Sequence, residues 1–376
     1  MFPLSESKNL LPPLIIKGKR INLPIIQGGM GVGVSLHPLA SAVAREGGVG
    51  IVSSAALDRI VSKRTGKKLS VYDAVMEEMS LAQAEGGVTG INIMVALGRD
   101  YKDTVIAAID AKADVIISGG GLPMNLPAIK EPNGTALIPI VSSPRALELI
   151  IRKWEKASYR PDAVVLEGPL AGGHLGFKFE QIDLESNKLE NLLPPVKEIA
   201  LKHGDFPVIV AGGIFTHADI VRFLRLGADG VQMGTKFLTT EESSATDEYK
   251  QAVIDSEEGD ILVANQPGSP CGLPFRVLKA SPMFVSSLAR SRKPKCDKGY
   301  VLFKDAQGVY NQCTAKEDNE LSFCICNGLL SSGGYNTDTE EPLYTAGAIA
   351  WRVKKRTTAR AVMRELAGFP EEEEKT

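Results

Sequence analysis

The sequence predicts a (β/α)8 barrel of the TIM type, followed by an irregular cysteine-containing C-terminal appendage and a terminal helix. Three observations lead there. Eight short, apolar, largely β-branched runs recur between residues 21 and 255; helix-like stretches separate most of them; and the rhythm fails past Thr246. Strands covered by helices read as continuous apolar runs rather than alternating ones. Eight unbroken β–α alternations fit a closed barrel better than an open, doubly wound sheet.

Taken in chain order, the strands fall at residues 23–27, 49–53, 90–95, 115–118, 138–141, 163–167, 208–211 and 230–233. Helices fall at residues 38–45, 71–84, 101–111, 144–153, 192–203 and 216–226. The barrel is assigned to residues 1–264, and residues 265–376 to an appendage or lid that carries the cysteine cluster and the C-terminal helix. A last helix is expected over 345–366, with Ala350, Trp351, Val353 and Val362 as its apolar positions. The acidic run 371–374 reads as a solvated tail.

Bulk properties narrow the function. A chain of 376 residues, 44% hydrophobic, can bury a large core. A net charge of −2 gives no electrostatic footprint for nucleic acid. No apolar run reaches the roughly 18–20 residues of a membrane span, and the first residues do not read as a secretion signal. The expected location is the cytoplasm, where the five cysteines stay reduced.

In such barrels chemistry sits at the C-terminal ends of the strands. The seventh strand ends in Ala211-Gly212-Gly213 and the eighth in Met233-Gly234-Thr235. One glycine pair alone reads as a tight turn. Two glycine loops after adjacent strands, one of them opening a helix, read as a phosphate site built from main-chain N–H groups, with Lys236 adjacent. The first strand ends in Gln27-Gly28-Gly29-Met30, small enough for a flat ring to lie against backbone, though taken alone a plain βα turn is the better reading. Asn92, at the end of the third strand, needs polar partners, from a ligand or from a neighbouring strand.

The sixth strand runs into Glu167-Gly-Pro-Leu-Ala171-Gly172-Gly173-His174. Of the four histidines, His37 and His217 stand at helix starts and His203 near a helix end. His174 differs: glycines flank it, and imidazole is the side chain best suited to move protons near neutral pH, although a satisfied structural histidine in a loop fits the context equally well. Phe177 and Phe179 follow it; they either line the substrate pocket or, the favoured reading, pack in the core or a lid.

Together, the segments PIIQGGMG (24–31), GINIMV (90–95), ISGGGLP (117–123), EGPLAGGHLG (167–176), VIVAGGI (208–214), ADGVQMGTKF (228–237) and SPCGLPFRVL (269–278) resemble the nitronate monooxygenase family and its sister group, the flavin-dependent enoyl-acyl-carrier-protein reductases. The resemblance spans roughly residues 20–285. It implies FMN, with its phosphate on Gly212, Gly213, Gly234 and Thr235. It places Gly28, Gly29 and Met30 against the ring, Asn92 and Glu167 within reach, and Ala171, Gly172 and Gly173 in the same pocket. His174 falls on the family's catalytic histidine. Three features depart from the pattern: Leu170 stands where many members carry an acid, QGGM is closer to the reductases, and the tail with four cysteines is absent from shorter members.

Cys296, Cys313, Cys324 and Cys326 are separated by sixteen, ten and one residues. Two readings stand side by side: zinc or an iron–sulfur cluster, with Cys271 as a substitute ligand, or buried thiols packing as small hydrophobes. The resemblance implies oxidation of alkyl nitronates by O2 to carbonyl compounds and nitrite. The alternatives are NAD(P)H-dependent reduction of an enoyl thioester and a flavin- or metal-binding sensor without turnover. The expected partners are a small-molecule substrate and O2, with neither nucleic acid nor membrane, and a homo-oligomer is an open arrangement.

Overall fold

The computed structural model describes residues 11–289, 313, 322–338 and 340–370. A hairpin comes first, β1 (Leu14–Ile16) and β2 (Lys19–Ile21). Eight parallel strands then close a barrel: β3 (Ile25–Gln27), β4 (Val49–Ser53), β5 (Val88–Met94), β6 (Val115–Gly119), β7 (Ala136–Val141), β8 (Val164–Glu167), β10 (Val208–Ala211) and β11 (Gly230–Met233). The order runs β3 to β8 in sequence, then β10 and β11, and β11 pairs back onto β3. Each expected strand is present, within a few residues of its expected ends.

Alternation along the strands separates two cores. Ile26, Ile51, Val115, Ile117, Ile138, Val165 and Ile209 point inward and pack together, and the hairpin residues Leu14, Ile16 and Ile21 join them, stoppering the barrel floor. Ile25, Val52, Ile116, Leu137, Val164 and Val210 point outward under the helices. The six expected helices appear as His37–Arg45, Val71–Gln83, Gly98–Asp110, Pro144–Glu155, Leu189–Lys202 and His217–Arg225, joined by Leu57–Thr65. Ser70, Ser143 and Thr216 cap three of them by accepting from Asp73, Ala146 and Asp219.

The pairing of β3 with β4 is sparse, holding at Ile26 and Val49. Gln27, fully buried, spans the gap: its Oε1 accepts from Ile51 N at 3.0 Å while its Nε2 donates to Ser35 Oγ at 2.9 Å. That ties the end of β3 to the loop that follows it.

Past Thr246 more order appears than the sequence implies. β12 (Ile261–Ala264) pairs antiparallel with β13 (Phe275–Leu278), which pairs in turn with β9 (Gly173–His174) in the loop after β8. Helices Asp247–Ile254, Pro282–Leu288 and Ile325–Ser332 complete the region. The expected helix over 345–366 is corrected: it forms only over Ala359–Leu366, preceded by a single 3-10 turn, Ala350–Arg352. The backbone of 345–348 is engaged instead with the barrel mouth, since Gly347 N donates to Thr235 Oγ1 and Ala348 N to Leu170 O. The helix starts only where Thr358 caps it by accepting from Ala361 N. Among the described residues, no helix is long and apolar enough to cross a membrane. The acidic run 371–374 lies outside the described residues.

Candidate active site at the barrel mouth

One cavity of about 310 Å³ opens at the C-terminal ends of the barrel strands. Its floor and walls come from Gly28, Gly29 and Met30 after β3, Asn92 on β5, Gly119 and Gly120 at the end of β6, Glu167 on β8, Gly212 and Gly213 after β10, and Gln232 to Thr235 at the end of β11. Ala171, Gly172, Gly173 and His174 form one side. All the residues singled out from the sequence as cofactor-facing or catalytic therefore meet on a single surface, although they are spread over 208 positions, from 28 to 235.

The glycine bend after β10 is possible only without side chains. Gly212 and Gly213 have φ of +96° and +79°, and a Cβ on Gly212 would lie 2.9 Å from Ala171 N. This close approach joins the phosphate-like bend to the histidine loop. Thr235 Oγ1 accepts from Gly347 N at 2.9 Å, which leaves its hydroxyl proton to point elsewhere. Lys236 is not part of the lining: it is buried, donates to Phe215 O at 3.2 Å and pairs with Glu365. Among the described residues, no Lys, Arg or Asp lines the cavity; its titratable groups are Glu167, His174, Tyr249, Cys271 and Cys326.

His174 is held by a strand rather than by a free loop. In the β9–β13 pairing it lies opposite Phe275, and the two rings meet edge to face with centroids 4.9 Å apart. Gly173 lies opposite Arg276 and donates its N–H to Thr345 Oγ1 at 2.9 Å. Thr345 Oγ1 in turn donates to Arg276 O at 2.6 Å. Tyr249 completes the brace by accepting from Thr345 N through its hydroxyl.

His174 Nε2 lies 3.1 Å from Ser269 Oγ, and Ser269 Oγ lies 3.0 Å from Cys271 Sγ. A hydroxyl both donates and accepts, so this contact serves either protonation state of the ring. Burial alone would raise the Cys271 thiol; the hydrogen bond and charge of His174, helped by Ser269, outweigh it and bring the thiol down to about 7. Glu167 moves the other way: burial, with no cation to offset it, pushes its carboxyl up to about 7.

The appendage supplies the outer wall. Ser269, Cys271 and Leu273, then Ile325, Cys326 and Leu329, then residues 345–347 close the cavity. The SPCGLPFRVL segment carried a signal for this, because its phenylalanine is the register partner of His174. Phe177 is buried in the outer core and Phe179 is exposed; neither lines the cavity. Of the four cysteines read as metal ligands, Cys313 and Cys324 are buried, Cys326 lies in the cavity wall, and Cys296 lies outside the described residues. Among the described residues, no group of three or more His, Cys, Asp or Glu side chains is arranged to hold a metal. Cys271, the substitute ligand, keeps company with Ser269 and His174 instead.

A sequence profile described as nitronate monooxygenase matches residues 13–368. A probable nitronate monooxygenase of Staphylococcus aureus is 27% identical over 270 residues, 65% of this chain and 72% of that protein. Its counterpart in Staphylococcus haemolyticus is 29% identical over 267 residues, with the same coverage of 65% and 72%. Among solved structures, FabK from Thermotoga maritima superimposes with a TM-score of 0.67 at 24% identity, covering 93% of this chain and 92% of that one. Nitroalkane oxidase from Streptomyces ansochromogenes superimposes with a TM-score of 0.65 at 21% identity, covering 93% and 95%. These two likenesses are likenesses of fold.

Proposed function

Because the chain belongs to the nitronate monooxygenase family, an oxidoreductase family, we propose that it is an FMN-dependent enzyme that oxidises alkyl nitronates with O2 to carbonyl compounds and nitrite. The observation that carries this reading is His174, fixed by strand pairing in the lining of a cavity that also holds a double glycine bend.

The residues present fit a phosphorylated flavin. Gln232 lines the cavity, and its buried Oε1 has no hydrogen-bond partner among the described residues, an orphan that a ligand N–H would satisfy. A Cβ on Gly173 would meet no protein atom within 4 Å, so that position borders open space. In this reading the main-chain N–H groups of Gly212, Gly213 and Gly234 and the hydroxyl proton of Thr235 hold the phosphate. Gly28, Gly29 and Met30 support the ring; Asn92, Glu167 and Gln232 meet its polar edge; Ala171, Gly172 and Gly173 complete the pocket. When bound, FMN supplies the electron-accepting ring. His174 does the acid–base work. As imidazolium it balances the negative nitro oxygens of a nitronate; as imidazole it takes the Cα proton of a neutral nitroalkane at a ring nitrogen. Ser269 steadies the ring in both states.

The test is anaerobic mixing of the purified protein with propionate 3-nitronate or ethylnitronate. Bleaching of the flavin bands without a nicotinamide supports the reading; a flavin that stays oxidised defeats it. A second reading, reduction of an enoyl thioester by NAD(P)H, is favoured by one observation: the described lining offers no Lys or Arg to an anionic substrate, which a neutral acyl group does not need. Bleaching by NADH or NADPH, followed by reoxidation by an enoyl thioester, would select it.

A further inference from the structure

The group that neither reading uses is the thiol of Cys271. It stands in the cavity wall supplied by the appendage, in a turn completed by Gly272 at φ +76°. Its sulfur lies 3.0 Å from Ser269 Oγ, its own main-chain N–H donates to that same oxygen at 3.3 Å, and Ser269 Oγ reaches His174 Nε2 at 3.1 Å. A nucleophile, a hydroxyl that can pass a proton, and a base are thus joined in one chain beside an open chamber, the arrangement that activates a thiol. Gln232, whose buried Oε1 has no hydrogen-bond partner among the described residues, lines the same chamber, which offers a ligand a polar group as well as apolar walls.

We propose that Cys271 is a nucleophilic site that adds covalently to electron-poor alkenes entering the cavity, that is, to α,β-unsaturated carbonyl compounds. His174 accepts the thiol proton, directly or through Ser269. The sulfur attacks the β-carbon and a C–S bond forms. The alkene π pair moves to the α-carbon, and that carbon takes the proton back from His174. The net change is addition of a thiol across a double bond, with nothing oxidised or reduced. The lowered thiol, at about 7, agrees with this arrangement. Among the described residues, the other titratable groups on the cavity, Glu167, Tyr249 and Cys326, include no cation to share the effect, so His174 is its main source, with Ser269 helping. The site stands independently of which flavin reaction the barrel performs.

The test is labelling of the protein as purified, flavin included, with N-ethylmaleimide and with methyl vinyl ketone. Peptide mass spectrometry then maps the adduct among the five cysteines. The first equivalent is expected on Cys271, absent in Cys271→Ser, with a labelling rate that rises with pH about a midpoint near 7. His174→Gln and Ser269→Ala should each move that midpoint toward the ordinary thiol value of about 8.5. Should His174→Gln fail to fold, Ser269→Ala carries the comparison alone. Labelling of other cysteines with Cys271 untouched, or a midpoint unchanged in the variants, overturns the proposal.

Discussion

Arg276 Nε donates to the carbonyl of Ala171 at 2.9 Å, and a second guanidinium nitrogen donates to the carbonyl of Pro169 at 2.6 Å. Arg276 is only 5% exposed, and burial draws its pKa down to about 10, leaving it charged at neutral pH. A buried arginine whose hydrogen-bond partners are backbone carbonyls is a structural clamp, here on the loop that presents His174. Arg276→Met should orphan both carbonyls and cost at least about 2 kcal/mol. Arg276→Lys should recover only part of it, because an ammonium lacks the fork that spans two oxygens. Chemical denaturation of the two variants checks the order; a lysine variant as stable as the parent contradicts the clamp.

Thr345 joins the two strands beneath the site from outside, accepting from Gly173 N and donating to Arg276 O. Thr345→Val keeps the shape and removes both bonds. A loss of about 1–3 kcal/mol is expected from the unsatisfied Gly173 N–H and Arg276 carbonyl. Because Gly173 lies one residue from His174, kcat should fall more than KM rises. A variant with altered stability and unaltered kcat would separate Thr345 from the site.

His174 itself gives the sharpest functional prediction. His174→Asn retains a polar side chain and loses proton transfer, so turnover should fall by about 10²–10⁴-fold with flavin still bound. Steady-state kinetics beside the visible spectrum reads both quantities. Retained turnover would remove the histidine from the reaction. Loss of flavin would make it a cofactor ligand instead.

How much of this was legible in the sequence follows from where the forces are local. The barrel strands announced themselves because a parallel strand is buried on both faces, as with 208–211 and 230–233, whose ends match. The glycine bends were legible because their backbone admits no side chain, as Gly212 against Ala171 N shows. The brace around His174 was not. The pairing of 173–174 with 275–276 joins positions about a hundred residues apart, in strands too short to carry a periodic signal. Cys271 was read as a spare metal ligand for the same reason: its partner Ser269 is local, but His174 reaches it only through that pairing. The terminal helix was over-extended because its apolar positions were real, while the backbone bonds of Gly347 and Ala348 to the barrel mouth left no trace in the pattern.

Glu167 links stability to pH in a direction opposite to an ordinary paired carboxylate. Unfolded, its carboxyl ionises near 4.5; folded, burial raises that to about 7. Between those values the folded protein keeps a proton that the unfolded chain has released. Stability contributed by this group therefore falls as pH climbs from 4.5 toward 7, and levels off above the folded value. Glu167→Gln removes the titration while keeping the shape. Its melting temperature relative to the parent should thus rise with pH, with the gap about 2–4 °C wider at pH 8 than at pH 5. Thermal melts of both proteins in matched buffers decide it. A gap that stays constant across the range means that solvent in the cavity, or a bound ligand, keeps Glu167 ionised throughout.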